Sequence, residues 1–202
     1  EYTSSDDGSL VWDLVSWYGG DVHRLWIKTE GDYAFSSPNS GEADFQLLYG
    51  RLVTSFFDAQ LGARYEQAWG GNRRASRISA ALGLQGISLY FFEFESAIFV
   101  GEAGHLAGRL TASKDFLFTQ KTIAQLRLES NAAAKHSDEF ESGSGINDLS
   151  LGARLRYEVK REFAPYIGIE WTNFFGETAD YRKRAGGEAS TWSAVAGVRA
   201  WY

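Results

Sequence analysis

Asp148-Leu149-Ser150-Leu151-Gly152-Ala153-Arg154-Leu155-Arg156-Tyr157-Glu158-Val159 decides how this chain reads. Every second residue (Leu149, Leu151, Ala153, Leu155, Tyr157, Val159) suits an apolar phase, and the intervening set is polar, charged or glycine. A strand points successive side chains to opposite faces, so the segment separates greasy from charged surface. Two architectures use such a strand. In a soluble sandwich the charged face meets water and the apolar face meets a partner sheet. In a transmembrane barrel the apolar face meets lipid and the charged face lines the lumen.

Working outward, the alternation recurs over segments 22–35, 42–53, 57–67, 75–86, 88–100, 105–116, 121–132, 147–160, 163–175 and 190–202. Ala59, Leu61, Ala63 and Tyr65 oppose Asp58, Gln60, Gly62, Arg64 and Glu66; Ile78, Ala80, Leu82 and Leu84 oppose Arg77, Ser79 and Gln85. Segment 88–100 is mixed, because Phe91 and Phe99 share a parity with Glu93 and Glu95. The connections read as alternately short and long, with 36–41, 68–74, 133–146 and 176–189 on the longer side. Short periplasmic turns and longer external loops mark an outer-membrane barrel, and a sandwich has no reason to keep that parity. Aromatics near strand ends (Tyr33, Phe35, Trp69, Tyr90, Phe116, Tyr166, Trp171, Trp192, Trp201, Tyr202) fit an interfacial girdle. The fold class is therefore all-β: an antiparallel transmembrane barrel of about ten strands over 22–202 with a polar lumen. Residues 1–21 are expected on the periplasmic side, packing on or plugging the lower rim. An extra strand over 10–18 is the alternative, made less attractive by an odd total.

Composition narrows the function. The 202 residues include no Cys and no Met, which removes thiolate and thioether chemistry. The sequence starts at Glu1, so it is expected to be processed or trimmed, and a missing signal peptide carries no information. No run approaches the ~18 apolar residues of a membrane helix, whereas barrel spans need only about 9–11 residues. A net charge of −6 argues against nucleic acid as a partner.

The inward set is dense in charge of both signs. Arg24, Lys28, Arg64, Arg77, Arg109, Arg127, Arg154, Arg156 and Arg199 share the lumen with Glu30, Asp44, Asp58, Glu66, Glu93, Glu95, Asp115, Glu129, Asp148, Glu158 and Glu170. Buried charge must be paired or wet. These groups either cross-brace a narrow, mostly closed barrel or form a polar path with weak cation sites. The metal candidates are the three histidines: His23 at the periplasmic start of the first strand, His105 after an external turn, and His136 in the longest external loop. None has the spacing of a strong metal motif. A barrel protease or acyl hydrolase using His136 and Ser137, with Asp138 or Glu139 as orienter, is the rival from another class; no Gly-x-Ser-x-Gly elbow supports it, and the chain is not expected to be an enzyme.

Several strings carry a more specific signal. Trp17-Tyr18-Gly19-Gly20-Asp21, Arg24-Leu25-Trp26-Ile27-Lys28-Thr29-Glu30-Gly31, Leu117-Phe118-Thr119-Gln120-Lys121, Ser150–Tyr157, Arg161-Glu162-Phe163-Ala164-Pro165-Tyr166-Ile167-Gly168-Ile169-Glu170-Trp171 and Ala196-Gly197-Val198-Arg199-Ala200-Trp201-Tyr202 resemble the bacterial outer-membrane copper-resistance protein B family. The resemblance runs from about residue 10 to the end. It implies an outer-membrane location, a role in copper resistance and homeostasis through copper binding or translocation, and periplasmic copper-handling proteins as partners. Members usually carry a His- and Met-rich segment ahead of the barrel. With no Met and three His here, that copper-collecting segment is expected to be absent or removed. Copper binding by this chain is thus implied by the resemblance, with His23 as the leading ligand, and Cu(II) suits its imidazoles and carboxylates better than Cu(I).

Overall fold

The computed structural model describes residues 1–4, 8–35, 40–70 and 73–201. Tyr202, most of the 36–41 connection and part of 68–74 lie outside the described residues. The chain forms a closed antiparallel β-barrel whose strands are β1 (Tyr2–Thr3), β2 (Ser9–Gly19), β3 (His23–Ala34), β4 (Ser40–Thr54), β5 (Phe57–Gly70), β6 (Arg73–Ser88), β7 (Phe92–Gly101), β8 (Leu106–Leu117), β9 (Thr122–Ala133), β10 (Gly145–Tyr157), β11 (Phe163–Phe174) and β12 (Ser190–Ala200). Each strand pairs with its sequence neighbours, and β1 closes the ring between β12 and β2. Among the described residues no helix is long and apolar enough to cross a membrane.

Twelve strands replace the expected ten, because residues 2–3 and 9–19 join the wall. Ser9 to Gly19 ladders onto β3, from Ser9↔Ala34 to Gly19↔Arg24, and Tyr2 and Thr3 pair with both β2 and β12. The physical reason is closure: a sheet ending at β3 would leave its edge amides and carbonyls unpaired. β2 seats closely, since a Cβ on Gly31 would lie 2.2 Å from the Trp12 ring. Only glycine lets the indole lie against that backbone.

The parity of the connections holds with one revision. One rim carries 20–22, 55–56, 89–91, 118–121 and 158–162; at the other lie 102–105, 134–144 and 175–189, with the strand ends Thr3 and Ser9, Ala34 and Ser40, and Gly70 and Arg73. The 68–74 connection is not long, because β5 and β6 run on to Gly70 and Arg73. The asymmetry therefore rests on 134–144 and on 175–189, which holds helix α1 (Gly176–Arg184). We call these the short-turn rim and the long-loop rim.

The alternation partitions as read. Leu47, Leu61, Ile78, Leu82, Ile98, Leu126, Leu155, Ile167 and Ile169 are exposed on the outer wall, while Lys28, Asp44, Gln46, Gln60, Arg64, Ser79 and Arg156 are buried inside. The outer surface is thus the greasy one, the inverse of a water-soluble protein. Segment 88–100 resolves through its turn: Leu89–Phe91 is a 3-10 turn with Phe91 at φ 60, and the strand starts at Phe92. Phe99 faces inward with Glu93 and Glu95, 1% exposed, in an apolar cluster with Trp26, Leu48 and Ala81. Tyr166 also departs from the girdle reading; its hydroxyl donates inward to Glu1 Oε2 at 2.7 Å.

Candidate functional site

Ion pairs brace the lumen at successive heights. Toward the long-loop rim, Arg64 Nε lies 2.5 Å from Asp44 Oδ2 and its Nη2 2.9 Å from Glu66 Oε1; Arg77 Nε shares Glu66 at 3.1 Å. Arg109 reaches across the barrel to Glu30 at 2.7 Å, donates to Asn131 at 3.0 Å, and lies 3.8 Å from Asp44 and 3.9 Å from Glu129. Arg127 pairs with Glu129 at 3.0 Å and approaches Asp13 at 3.8 Å. Asp148 accepts from Asn131 at 3.1 Å. Crossing strands in this way makes each charge hold two or more strands in register.

Lower in the lumen, Lys28 is 2% exposed and donates to Glu95 at 2.6 Å, Gln85 at 2.9 Å and Gln60 at 3.3 Å. Its three ammonium protons are thereby all used. Arg24 pairs with Asp58 at 3.0 Å and Arg156 with Asp115 at 2.9 Å, with Glu158 4.0 Å away. Arg154 pairs with Glu1 at 3.1 Å and Glu170 at 2.9 Å. Glu93 accepts from Ser113 at 3.2 Å, and Arg199 lies over the Trp201 ring. Apolar packing supplements the charges on one side: the Arg64 guanidinium sits 4.0 Å from the Phe99 ring centre. Nothing in the sequence announced that an inward aromatic would carry an arginine.

The histidines fall in two places. His23 does not open onto the lumen: it shares the outward parity of Leu25 and Ile27, is exposed, and its Nδ1 lies 2.5 Å from the Tyr49 hydroxyl. Its expected position at the mouth is corrected by that register. His105 and His136 instead line one cavity of about 440 Å³ at the long-loop rim, with Glu102, Glu139, Arg77, Lys135 and Phe140. Their meeting follows from the β8–β9 hairpin. Leu106 starts β8 and Ala133 ends β9, Ala107 pairs with Ala133, and the Ala134 amide donates to Leu106 O at 2.8 Å. Residues just outside both strands must therefore be neighbours.

Both ring nitrogens of His105 are buried without a hydrogen-bond partner. A buried polar atom in that state normally signals a water or ion. Burial, and then the positive charge of Arg77, holds the His105 pKa below the ordinary histidine value. The ring is accordingly neutral at pH 7, the form that ligates metals. Among the described residues no three His, Asp or Glu side chains converge closely enough to hold a metal ion by themselves.

Comparison with known proteins now decides the frame. Residues 1–202 match the family described as copper resistance protein B precursor (CopB). The chain belongs to the copper resistance protein B family. It is 37% identical over 203 residues to the copper resistance protein B homolog of Pseudomonas syringae pv. tomato (strain ATCC BAA-871 / DC3000), covering all of this chain and 67% of that protein. It is 38% identical over 203 residues to copper resistance protein B of Escherichia coli, with the same shares covered. The family resemblance read from the sequence is borne out.

The loops around the cavity are built as one unit in this CopB-family barrel. The Ser137 and Ser142 backbones pair with each other at 2.7 and 3.0 Å, making a small hairpin of the 134–144 loop. Phe140 lies over Arg77 with its ring centre 4.0 Å from Cζ. Helix α1 anchors the far side through Thr178 Oγ1, which accepts from the Gly143 amide at 2.8 Å, and Glu177, which accepts from the Ser144 amide at 3.3 Å. The Asp138 carboxylate accepts a short hydrogen bond from the Tyr181 hydroxyl. That engagement has Asp138 holding α1, which leaves Glu139 as the other orienter the hydrolase reading named for His136.

Proposed function

We propose that this barrel lies in the bacterial outer membrane and handles copper as cargo in copper resistance, engaging Cu(II) at the long-loop rim through His105 and His136. Two imidazoles, His105 and His136, line one cavity that two carboxylates, Glu102 and Glu139, also line, and this carries the reading. Imidazole and carboxylate suit Cu(II), and the chain has no Met or Cys for Cu(I). Two histidines without a third protein ligand make a weak site, so tighter capture in copper resistance would fall to other segments or to periplasmic copper-handling proteins. The apolar outer wall and loop parity support the membrane assignment, with the long-loop rim outside and the short-turn rim periplasmic. Within the lumen the paired charges act as braces, which fits holding or slow passage of an ion better than an open pore.

Titrating Cu(II) into the detergent-folded barrel, read by electron paramagnetic resonance, tests the assignment. Nitrogen hyperfine structure should appear with the unmodified chain and with His23→Ala, and should be lost with His105→Ala or His136→Ala. Loss on His23→Ala alone, or an unchanged signal in the His105→Ala/His136→Ala double variant, would send the search elsewhere, first to the lumen carboxylates Glu93 and Glu95.

A further inference from the structure

The outer wall carries charge of one sign only. Among the described strand residues from β2 to β12, no Asp or Glu lies on the outward parity, whereas Arg51, Arg74 and Lys114 do. Arg51 and Arg74 are exposed. Lys114 is half-buried, its Nζ lying 4.5 Å from the Phe92 ring centre and 5.2 Å from that of Phe116. Among the described residues no carboxylate pairs with it. Ring faces attract a cation without neutralising it, so an ammonium on a lipid-facing wall calls for an anion.

An apolar trough begins one strand away. Across the ladders Lys114 stands opposite Leu126, and the row continues to Ala153, Ile169 and Ala194. Leu126, Ala153, Leu155, Ile169 and Ala194 line a cavity of about 640 Å³ on this outer face. The alanines make its floor and the longer side chains its walls; Leu126, Leu155 and Ile169 are exposed. The row also climbs. Lys114 is three residues from the short-turn end of β8 at Leu117, and Ile169 is six from that of β11 at Phe163. The cation thus sits near the short-turn edge of the wall, and the trough runs from it toward mid-height.

We propose that this face binds one anionic glycerophospholipid from the leaflet at the short-turn rim, its phosphate on the Lys114 ammonium and an acyl chain in the trough. The phosphate supplies the counter-charge that no carboxylate of the wall provides. The acyl chain fills a hollow whose lining would otherwise lack contacts. A zwitterionic headgroup fits less well, because its own ammonium would meet only cations on this wall. The inference rests on the membrane assignment made above and stands apart from the copper cavity, which lies on the other rim.

Refolding into vesicles of equal parts phosphatidylglycerol and phosphatidylcholine, followed by flotation, mild extraction and native mass spectrometry, tests this. The unmodified barrel should retain one phosphatidylglycerol in about fivefold excess over phosphatidylcholine. Lys114→Gln should abolish the excess, and Ala153→Phe, which fills the trough, should strip bound lipid of both kinds. Ala80→Phe, on the outer face of β6, should change neither. A barrel that floats with the vesicles but shows no excess would overturn this inference alone, whatever the variants do. An excess that survives Lys114→Gln, or bound lipid that survives Ala153→Phe, would overturn it equally. A chain that stays out of the vesicles would overturn the membrane assignment and this inference together.

Discussion

The β3–β7 side of the barrel and the β12–β2 side are built from the same kind of alternating strand and end in opposite states. On the first, polar and charged side chains interlock until Lys28, Gln46, Gln60 and Ser79 are sealed, and Trp26, Leu48, Ala81 and Phe99 fill the remaining space. On the second, every residue from Asp13 to Gly19 is exposed, including those that point inward. Alternation therefore decides which phase each face meets, but not whether the interior is full. Filling depends on continuous ladders on both sides of a strand, which hold neighbouring inward side chains about 5 Å apart, near enough to pair.

The sharpest way to break the comparison is to remove a charge from each side. Arg64→Leu leaves Asp44 and Glu66 without their shared partner in a buried setting and should cost about 3–5 kcal/mol of unfolding free energy. Arg199→Leu, on the open side, should change stability by no more than about 0.5 kcal/mol. Urea unfolding from lipid bilayers measures both, and equal costs would erase the distinction. Phe99→Ala should remove about 3–5 kcal/mol through the cavity it leaves and raise the small single-channel conductance expected of the filled barrel. A large stable conductance before any substitution would contradict the filled lumen.

Arg154 sharpens the boundary between the two sides. It ties Glu1 to Glu170 on β11, so Arg154→Leu should cost about 2 kcal/mol. Hydrogen exchange at Tyr2 and Thr3 should quicken with it, while that of β4–β6 stays unchanged. The smallest effect concerns the loops. The hydrogen bond to Asp138 raises the Tyr181 pKa above its ordinary value of about 10. Its contribution is therefore present below pH ~10 and lost as pH rises through the raised value. Ultraviolet difference titration of the unmodified chain against Tyr181→Phe should show the missing tyrosinate forming above pH ~10, and proteolysis of the 134–144 loop should quicken as it ionises.

Most of the wall was legible because period-two patterning needs no tertiary information, and the segments from 22–35 to 190–202 lie within a few residues of β3 to β12. β2 carries no clean alternation: Val11, Val15 and Trp17 join Asp13 on the inward face, and Leu10, Trp12, Leu14 and Tyr18 join Ser16 on the outward face. β1 is too short to carry any period, so the count of strands stayed odd whenever residues 10–18 were added. Phe99 was unplaced because an aromatic on the charged parity makes sense only once Arg64 is seen above it. The meeting of His105 with His136 was available in principle, since an antiparallel 105–116/121–132 hairpin puts its outer ends side by side. No single histidine carries that signal by itself, and the parity His23 shares with Leu25 and Ile27 puts its side chain on the outer wall.

Copper is proposed to engage this protein at the long-loop rim, apart from the lumen carboxylates. Diffraction at the copper edge from crystals soaked in Cu(II) tests it most directly. An anomalous peak in the cavity between His105 and His136, with none among Glu30, Asp44, Glu93 and Glu95, is the predicted result. A peak within the lumen, or beside His23 on the outer wall, would contradict it.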